Sequence, residues 1–230
     1  MDKKQKMLLL IVGILVLIAI VIGFLAFNKE KEKKSNSTVN VIKEEYESLN
    51  GVVNDLGYTY VTVDISKDIK IEKLEIKQVL DIFNKEDAVI LFGNTKDNIC
   101  RNAINPFISA VESVGIEKVY YVDTYNLVDN TTEEYKELLE KLDVLLQKYE
   151  IEDENGNKIG TVQKKIFTPT VVVVKDKEVA DYHLGTIESN MADDKINNEL
   201  TKEEKEELFD VYTNMLLKIS DSSCNDESKC

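Results

Sequence analysis

The chain has 230 residues, with 29 Lys and Arg against 43 Asp and Glu and a net charge of −14. Beyond residue 34 there are 22 basic and 40 acidic side chains, a net −18. This excludes the basic footprint that a nucleic-acid binder needs and sets the domain against anionic lipid. One His and three Cys leave too few ligands at suitable spacing for a zinc-type metal site.

Residues 1–7 form a short basic tail. Residues 8–27, "LLLIVGILVLIAIVIGFLAF", carry no charge and have the length of a membrane-crossing helix. The following "NKEK" offers no small-residue cleavage site, so the segment is expected to stay as a single-pass anchor. Lys3, Lys4 and Lys6 before it balance Lys29, Lys31, Lys33 and Lys34 after it, so flanking charge does not set the orientation. A short tail before the span and a large domain after it favour a cytoplasmic N-terminus and an extracytoplasmic domain.

A polar linker, 28–39, leads into an N-terminal extension, 40–68. Here "NVIKEEYESLN" predicts a short helix over 40–50, and the alternating "YTYVTVDI" predicts a strand over 58–65. A second strand is expected near Ile69–Leu74, then a helix over 77–84. "AVILF" (88–92) has the unbroken apolar character of a central strand covered on both faces. A helix is expected from about Asn98 to Val114, and a strand at 118–123. Thr131 and Glu134 have capping-box spacing for a helix from about Thr132 to Tyr149, with Tyr135, Leu138, Leu139, Leu142, Leu145 and Leu146 on one face. "ENGNKIG" (154–160) reads as a turn. "TVVVV" (170–174) and "EVADYH" (178–183) form a hairpin. Thr201 and Glu204 cap a last helix that turns Leu208, Phe209, Tyr212, Met215 and Leu216 inward. Strands alternating with helices, then a hairpin and a closing helix, describe an α/β sandwich.

Within that order "LFGNTKDNICRNA" (91–103) places Cys100 at the first turn of a helix after a strand and a short loop, where a reactive thiol is often held. Phe92 precedes Cys100 by eight residues, and Gly185 follows Pro169 by sixteen. These spacings resemble the thioredoxin fold over about residues 69–219, interrupted by a helical insertion at about 126–160. More closely, the chain resembles small membrane-anchored thioredoxin-like proteins of Gram-positive bacteria, of the bacteriocin-transport accessory type. Phe92, Gly93, Cys100, Arg101, Asn102 and Ala103 match that pattern. The resemblance implies a central mixed sheet flanked by helices in three layers, no cofactor, and a cis peptide bond at Thr168–Pro169. It also implies that an extended, unfolded or exported polypeptide would pair with the backbone before Pro169.

The departures from that pattern bear on chemistry. Asp97 stands where the attacking cysteine belongs, leaving Cys100 in the resolving position. Leu91 replaces the buried Asp that would take the resolving thiol's proton. Exchange needs an attacking thiolate and a second thiol, and a carboxylate beside Cys100 would raise its pKa. Asp97 is equally well explained as a helix N-cap, and Cys100 as a small buried apolar residue. Three readings therefore stand: a degenerate oxidoreductase with weak or no activity, a peptide-binding module without chemistry, and one-thiol chemistry of Cys100 with Cys224 or Cys230. The polar tail 220–230 is expected to hold a local Cys224–Cys230 disulfide if the compartment is oxidising. His183, the lone histidine, is expected to be exposed on its strand.

Overall fold

The run Ala88–Gly93 becomes the innermost strand of a mixed five-stranded sheet. In this computed structural model the described residues are 41–125, 127, 132–152, 158–191 and 195–220. The expected span 8–27, the linker and both tail cysteines lie outside them. Among the described residues no helix is long and apolar enough to cross a membrane. Residues 41–47 are helical (α1). There follow β1 (Lys70–Lys73), α2 (Ile76–Lys85), β2 (Ala88–Gly93), α3 (Asn98–Val114), β3 (Lys118–Asp123), α4 (Glu133–Lys141), β4 (Gln147–Glu152), β5 (Lys158–Lys165), β6 (Thr170–Lys175), β7 (Glu178–Leu184) and α5 (Lys202–Ser220). The sheet order is β1-β3-β2-β6-β7. β1 and β2 run parallel to β3, and β6 runs antiparallel to both β2 and β7.

Side chains alternate across a strand, and here both faces are apolar. Val89, Leu91, Val119, Tyr121, Val171 and Val173 face a core completed by α1, α3 and α5. Ala88, Ile90, Phe92, Tyr120, Val122, Val172 and Val174 face a second core completed by α2 and α4. The protein is therefore an α/β structure with helices on both sides of a central sheet. The last helix begins at the expected capping box, with the Glu204 amide donating to Thr201 Oγ1 at 3.2 Å and the Thr201 amide to Glu204 Oε2 at 2.8 Å.

Two expectations are corrected. Residues 58–65 are extended, with Val61, Val63 and Ile65 buried and Thr62 and Asp64 exposed, but they belong to no sheet. The only bridge nearby joins Val53 to Thr59. Their backbone groups bond side chains instead. Asn98 Oδ1 accepts the Val61 amide (3.0 Å), Asn50 Oδ1 the Val63 amide (2.9 Å), Asn105 Oδ1 the Asp64 amide (3.1 Å) and Glu47 Oε1 the Ile65 amide (3.1 Å). The alternation recorded one buried face; it could not record that the edge partners are side chains of α1, α3 and the turn after α1. The second correction concerns the helix expected over 132–149. It is capped by Thr132 rather than Thr131 and stops at Lys141, followed by a single 3-10 turn, Asp143–Leu145. From Gln147 the backbone pairs with β5 in a separate two-stranded sheet. The leucine spacing carried through the turn because Leu142 and Leu145 are still buried there.

One side chain ties the extension to the sandwich. Arg101, on α3, is fully buried. Its guanidinium donates to the carbonyls of Val61 (2.7 Å), Tyr46 (2.9 Å) and Thr95 (3.1 Å) and to Asn50 Oδ1 (2.7 Å). The rings of Tyr46 and Tyr60 lie 5.7 and 5.4 Å away, within cation–π range. Burial lowers its pKa from the ordinary arginine value, but the group stays charged at neutral pH. Arg101→Leu removes a donor from the buried Val61 and Tyr46 carbonyls and from the half-buried Thr95 carbonyl. It should cost about 3 kcal/mol or more, read as a fall in the urea midpoint with early hydrogen exchange at the amides of residues 61–65. A loss below about 1 kcal/mol would show that the extension is held by apolar contacts instead.

Candidate functional site

The turn between β2 and α3 begins with a glycine that cannot be enlarged freely. A Cβ on Gly93 would lie 3.1 Å from Tyr121 Cε2 and 3.3 Å from the Tyr46 hydroxyl. Those two rings meet edge-on, with centroids 6.1 Å apart. Asn94 then folds the turn, its Oδ1 accepting the Lys96 amide at 2.9 Å and its carbonyl accepting the Asp97 amide at 3.2 Å.

Asp97 is the N-cap of α3, its Oδ1 accepting the Ile99 amide at 2.9 Å. The other oxygen accepts the Cys100 thiol, with Sγ–Oδ2 at 3.6 Å. The sulfur itself accepts the Asn94 amide at 3.3 Å. Cys100 is only 2% exposed. Burial first, and the Asp97 carboxylate second, push its pKa well above that of a free thiol. Burial also raises Asp97, outweighing the Ile99 amide and the thiol that stabilise its charge. Asp97 and Cys100 are thus brought together as one hydrogen-bonded pair, and neither is poised as a thiolate or its base.

The first turn of α3 is roofed on one side. Asn98 is buried, its Nδ2 donating to the Thr59 and Asn197 carbonyls, each at 3.2 Å. Asn102 accepts the Leu200 amide (3.0 Å) and donates to the Asn198 carbonyl (2.7 Å). Asn98 carries no catalytic signature, and no spacing in the sequence singles it out.

The other side is open. A cleft of about 220 Å³ lies among Asn94, Thr124, Tyr125, Tyr135, Lys165 and Thr168. A second, of about 310 Å³, shares Asn94 and Tyr125 and continues past Lys96 and Asp123 to Glu45. Tyr125 stands between them, 61% exposed, with Lys96 Nζ 5.4 Å from its ring centre. The Thr168–Pro169 peptide is cis. Among the described residues neither backbone group of Thr168 has a hydrogen-bond partner. Pro169 is buried, and its carbonyl accepts the Gly185 amide at 2.7 Å. The sixteen-residue spacing therefore reflects hairpin register, since Thr170 pairs with Leu184. The positive φ of Gly185 (73°) strains any side chain there, and Met191 Sδ, 3.0 Å from a would-be Cβ, would have to shift.

His183 is not exposed as expected. It is half-buried, its Nε2–H donating to the Thr186 carbonyl at 2.8 Å, and its ring meets Tyr212 edge-on with centroids 5.4 Å apart. Burial lowers its pKa. Among the described residues no group of three His, Cys, Asp or Glu side chains is arranged to hold a metal. Cys224 and Cys230 lie outside the described residues.

No protein-family model and no curated protein matches this chain.

Two measurements follow from the Asp97–Cys100 pair. Because the folded-state pKa of Asp97 is raised, its contribution to stability is present below the ordinary carboxylate pKa and is lost as pH rises through the folded value. Asp97→Asn keeps a cap oxygen and removes the buried charge. The variant should be the more stable protein at pH 7 in urea unfolding, and the difference should close below about pH 4. A gap that instead favours wild type more as pH rises would mean that the charge is welcomed by the helix terminus. Separately, iodoacetamide should label native Cys100 at least about 100-fold more slowly than an exposed thiol at pH 8, and labelling should become rapid in urea.

Proposed function

We propose that this protein is a membrane-tethered, extracytoplasmic member of the thioredoxin-like proteins, descended from thiol–disulfide oxidoreductases, that binds an extended or unfolded polypeptide without thiol chemistry. The strand order β1-β3-β2-β6-β7, the helices on both faces and the cis peptide before β6 are consistent with a thioredoxin-like fold. The tether is the apolar run 8–27. The observation that carries the functional reading is the Asp97–Cys100 pair: a thiol buried to 2% exposure that donates to the carboxylate standing where an attacking cysteine would be. Exchange requires a thiolate that can be approached, and neither condition is met.

What remains usable is backbone and surface. The unpaired N–H and C=O of Thr168 can each take one hydrogen bond from an extended chain, as in strand addition. Tyr125 offers the exposed aromatic contact that interfaces favour. Both border the same open cleft.

The test uses the full chain in detergent or nanodiscs with a permanently unfolded polypeptide, such as reduced and carboxymethylated α-lactalbumin. Binding should be saturable, unchanged in Cys100→Ser, and weakened about fivefold or more in Tyr125→Ala. Catalytic disulfide reduction by the wild type that vanishes in Cys100→Ser would replace this reading with one-thiol chemistry.

Asp97→Cys supplies the complementary check. A sulfur at residue 97 would stand beside Cys100 at a helix N-terminus, where the dipole lowers a thiol pKa. Losing the cap should cost on the order of 1 kcal/mol. The variant should form a 97–100 disulfide and gain slow reductase activity with dithiothreitol, limited by Leu91 and by the roof over α3. Failure of the two residues to join would show that the turn does not present position 97 to Cys100.

A further inference from the structure

The hairpin of β4 and β5 stands apart from the main sheet. β5 pairs antiparallel with β4, from Gln147↔Lys165 to Glu152↔Lys158, and the two strands form a sheet of their own. A two-stranded ribbon is marginally stable by itself, and a third strand is one of the things that secure it. Among the described residues no other strand pairs with either member. Each therefore keeps an open edge, the feature that strand addition uses.

Continuity names the occupant. β5 ends at Lys165, and residues 166 and 167 lead on to Thr168 without a turn or bend. Lys165, Ile166 and Thr168 line the same cleft as Tyr125. The Phe167 carbonyl accepts the Thr170 hydroxyl at 2.6 Å, while the N–H and C=O of Thr168 have no partner among the described residues. Past Pro169 the chain enters β6, which is paired on both edges, to β2 and to β7. An extended ligand held at Thr168 can go on pairing in one direction only, along β5. β4 offers no such path, since Gln147, its residue opposite Lys165, follows the 3-10 turn Asp143–Leu145.

We propose that the extended polypeptide lies along the outer edge of β5 as a third strand of the β4–β5 sheet, with Thr168 at one end of the contact. This rests on the reading of Thr168 as the peptide platform and extends it to a second element. From residue 158 to Thr168 the pairing would run about 33 Å, at roughly 3.3 Å per residue. Affinity drawn from main-chain bonds makes little demand on sequence beyond an extended segment free of proline. Such an edge suits a ligand recognised because it is unfolded.

The full chain in nanodiscs is titrated with reduced, carboxymethylated α-lactalbumin, and amide exchange is read residue by residue by mass spectrometry. At saturation, exchange should slow at least about tenfold at Thr168 and at alternate residues of β5. Val162 and Gln163 are neighbours opposite Glu150 and Tyr149, so one points its N–H at β4 and the other away. Val162→Pro and Gln163→Pro each remove one of these donors. The variant that keeps the β4 ladder, identified by exchange without ligand, should bind about fivefold more weakly or worse. Binding that slows exchange at Thr168 and not along β5, or full affinity in that variant, overturns the β5 contact and leaves the platform standing. No binding, or binding that leaves Thr168 exchange unchanged, overturns the platform and the β5 contact with it. Exchange along β5 that slows with chain concentration in the absence of polypeptide also overturns the proposal, assigning the edge to a second copy of the chain.

Discussion

A buried guanidinium with no carboxylate partner among the described residues organises this protein. Placing a charge in the interior is costly unless its hydrogen-bonding capacity is met. At Arg101 four oxygen acceptors meet it, three of them backbone carbonyls. Those carbonyls come from α1, from the extended stretch at Val61 and from the β2–α3 turn at Thr95. None of these belongs to the sheet, and the Tyr46 carbonyl also accepts the Leu49 amide at 3.3 Å. The charge and the irregular backbone thus solve each other's problem, and the extension becomes part of the sandwich instead of a peripheral arm. Asn98, about one turn before Arg101, and Asn102, the next residue, extend the device along α3, serving segments 59–61 and 197–200.

The same packing decides the chemistry of Cys100. A helix N-terminus is worth about 0.3–1 kcal/mol to a nearby anion, which is less than one pKa unit at 1.36 kcal/mol per unit. Full burial of an ionisable group can oppose it by as much as about 3–5 units. Adding a carboxylate at hydrogen-bond distance pushes further the same way. Burial wins, and a strand–loop–helix setting that would sharpen a thiol in an exposed site quiets this one. Asp97 does not take over as a base, because its own charge is disfavoured by the same burial.

Much of the sandwich was legible because it depends on local rules. The unbroken apolar run at 88–92 has the length and character of a strand covered twice, Thr201 and Glu204 can satisfy each other's amides, and Asp176 and Lys177 between two β-branched runs mark a tight hairpin, where both take positive φ. The site was legible only as a set of positions. Phe92, Cys100, Pro169 and Gly185 are spaced by register and helix geometry, which sequence preserves. Burial of the thiol, by contrast, depends on α1, β3 and α5 bringing Tyr46, Tyr121 and Tyr212 close to it, and no periodicity encodes that convergence. The alternation at 58–65 and the leucines past Lys141 misled for a related reason. Each reported which side chains are buried, and neither reported what the backbone pairs with.

The two sides of the β2–α3 turn have consequently been given different fates. On the side of α3 many backbone groups of 59–65 and 197–200 are already bonded to Asn50, Asn98, Asn102, Asn105, Arg101 and Glu47. On the side of β6 the Thr168 amide and carbonyl are unspent and Tyr125 is exposed over a cleft. On the reading proposed above, an extended ligand would approach the turn along the β6 side, passing Thr168 and Tyr125, while the Cys100 thiol stays buried.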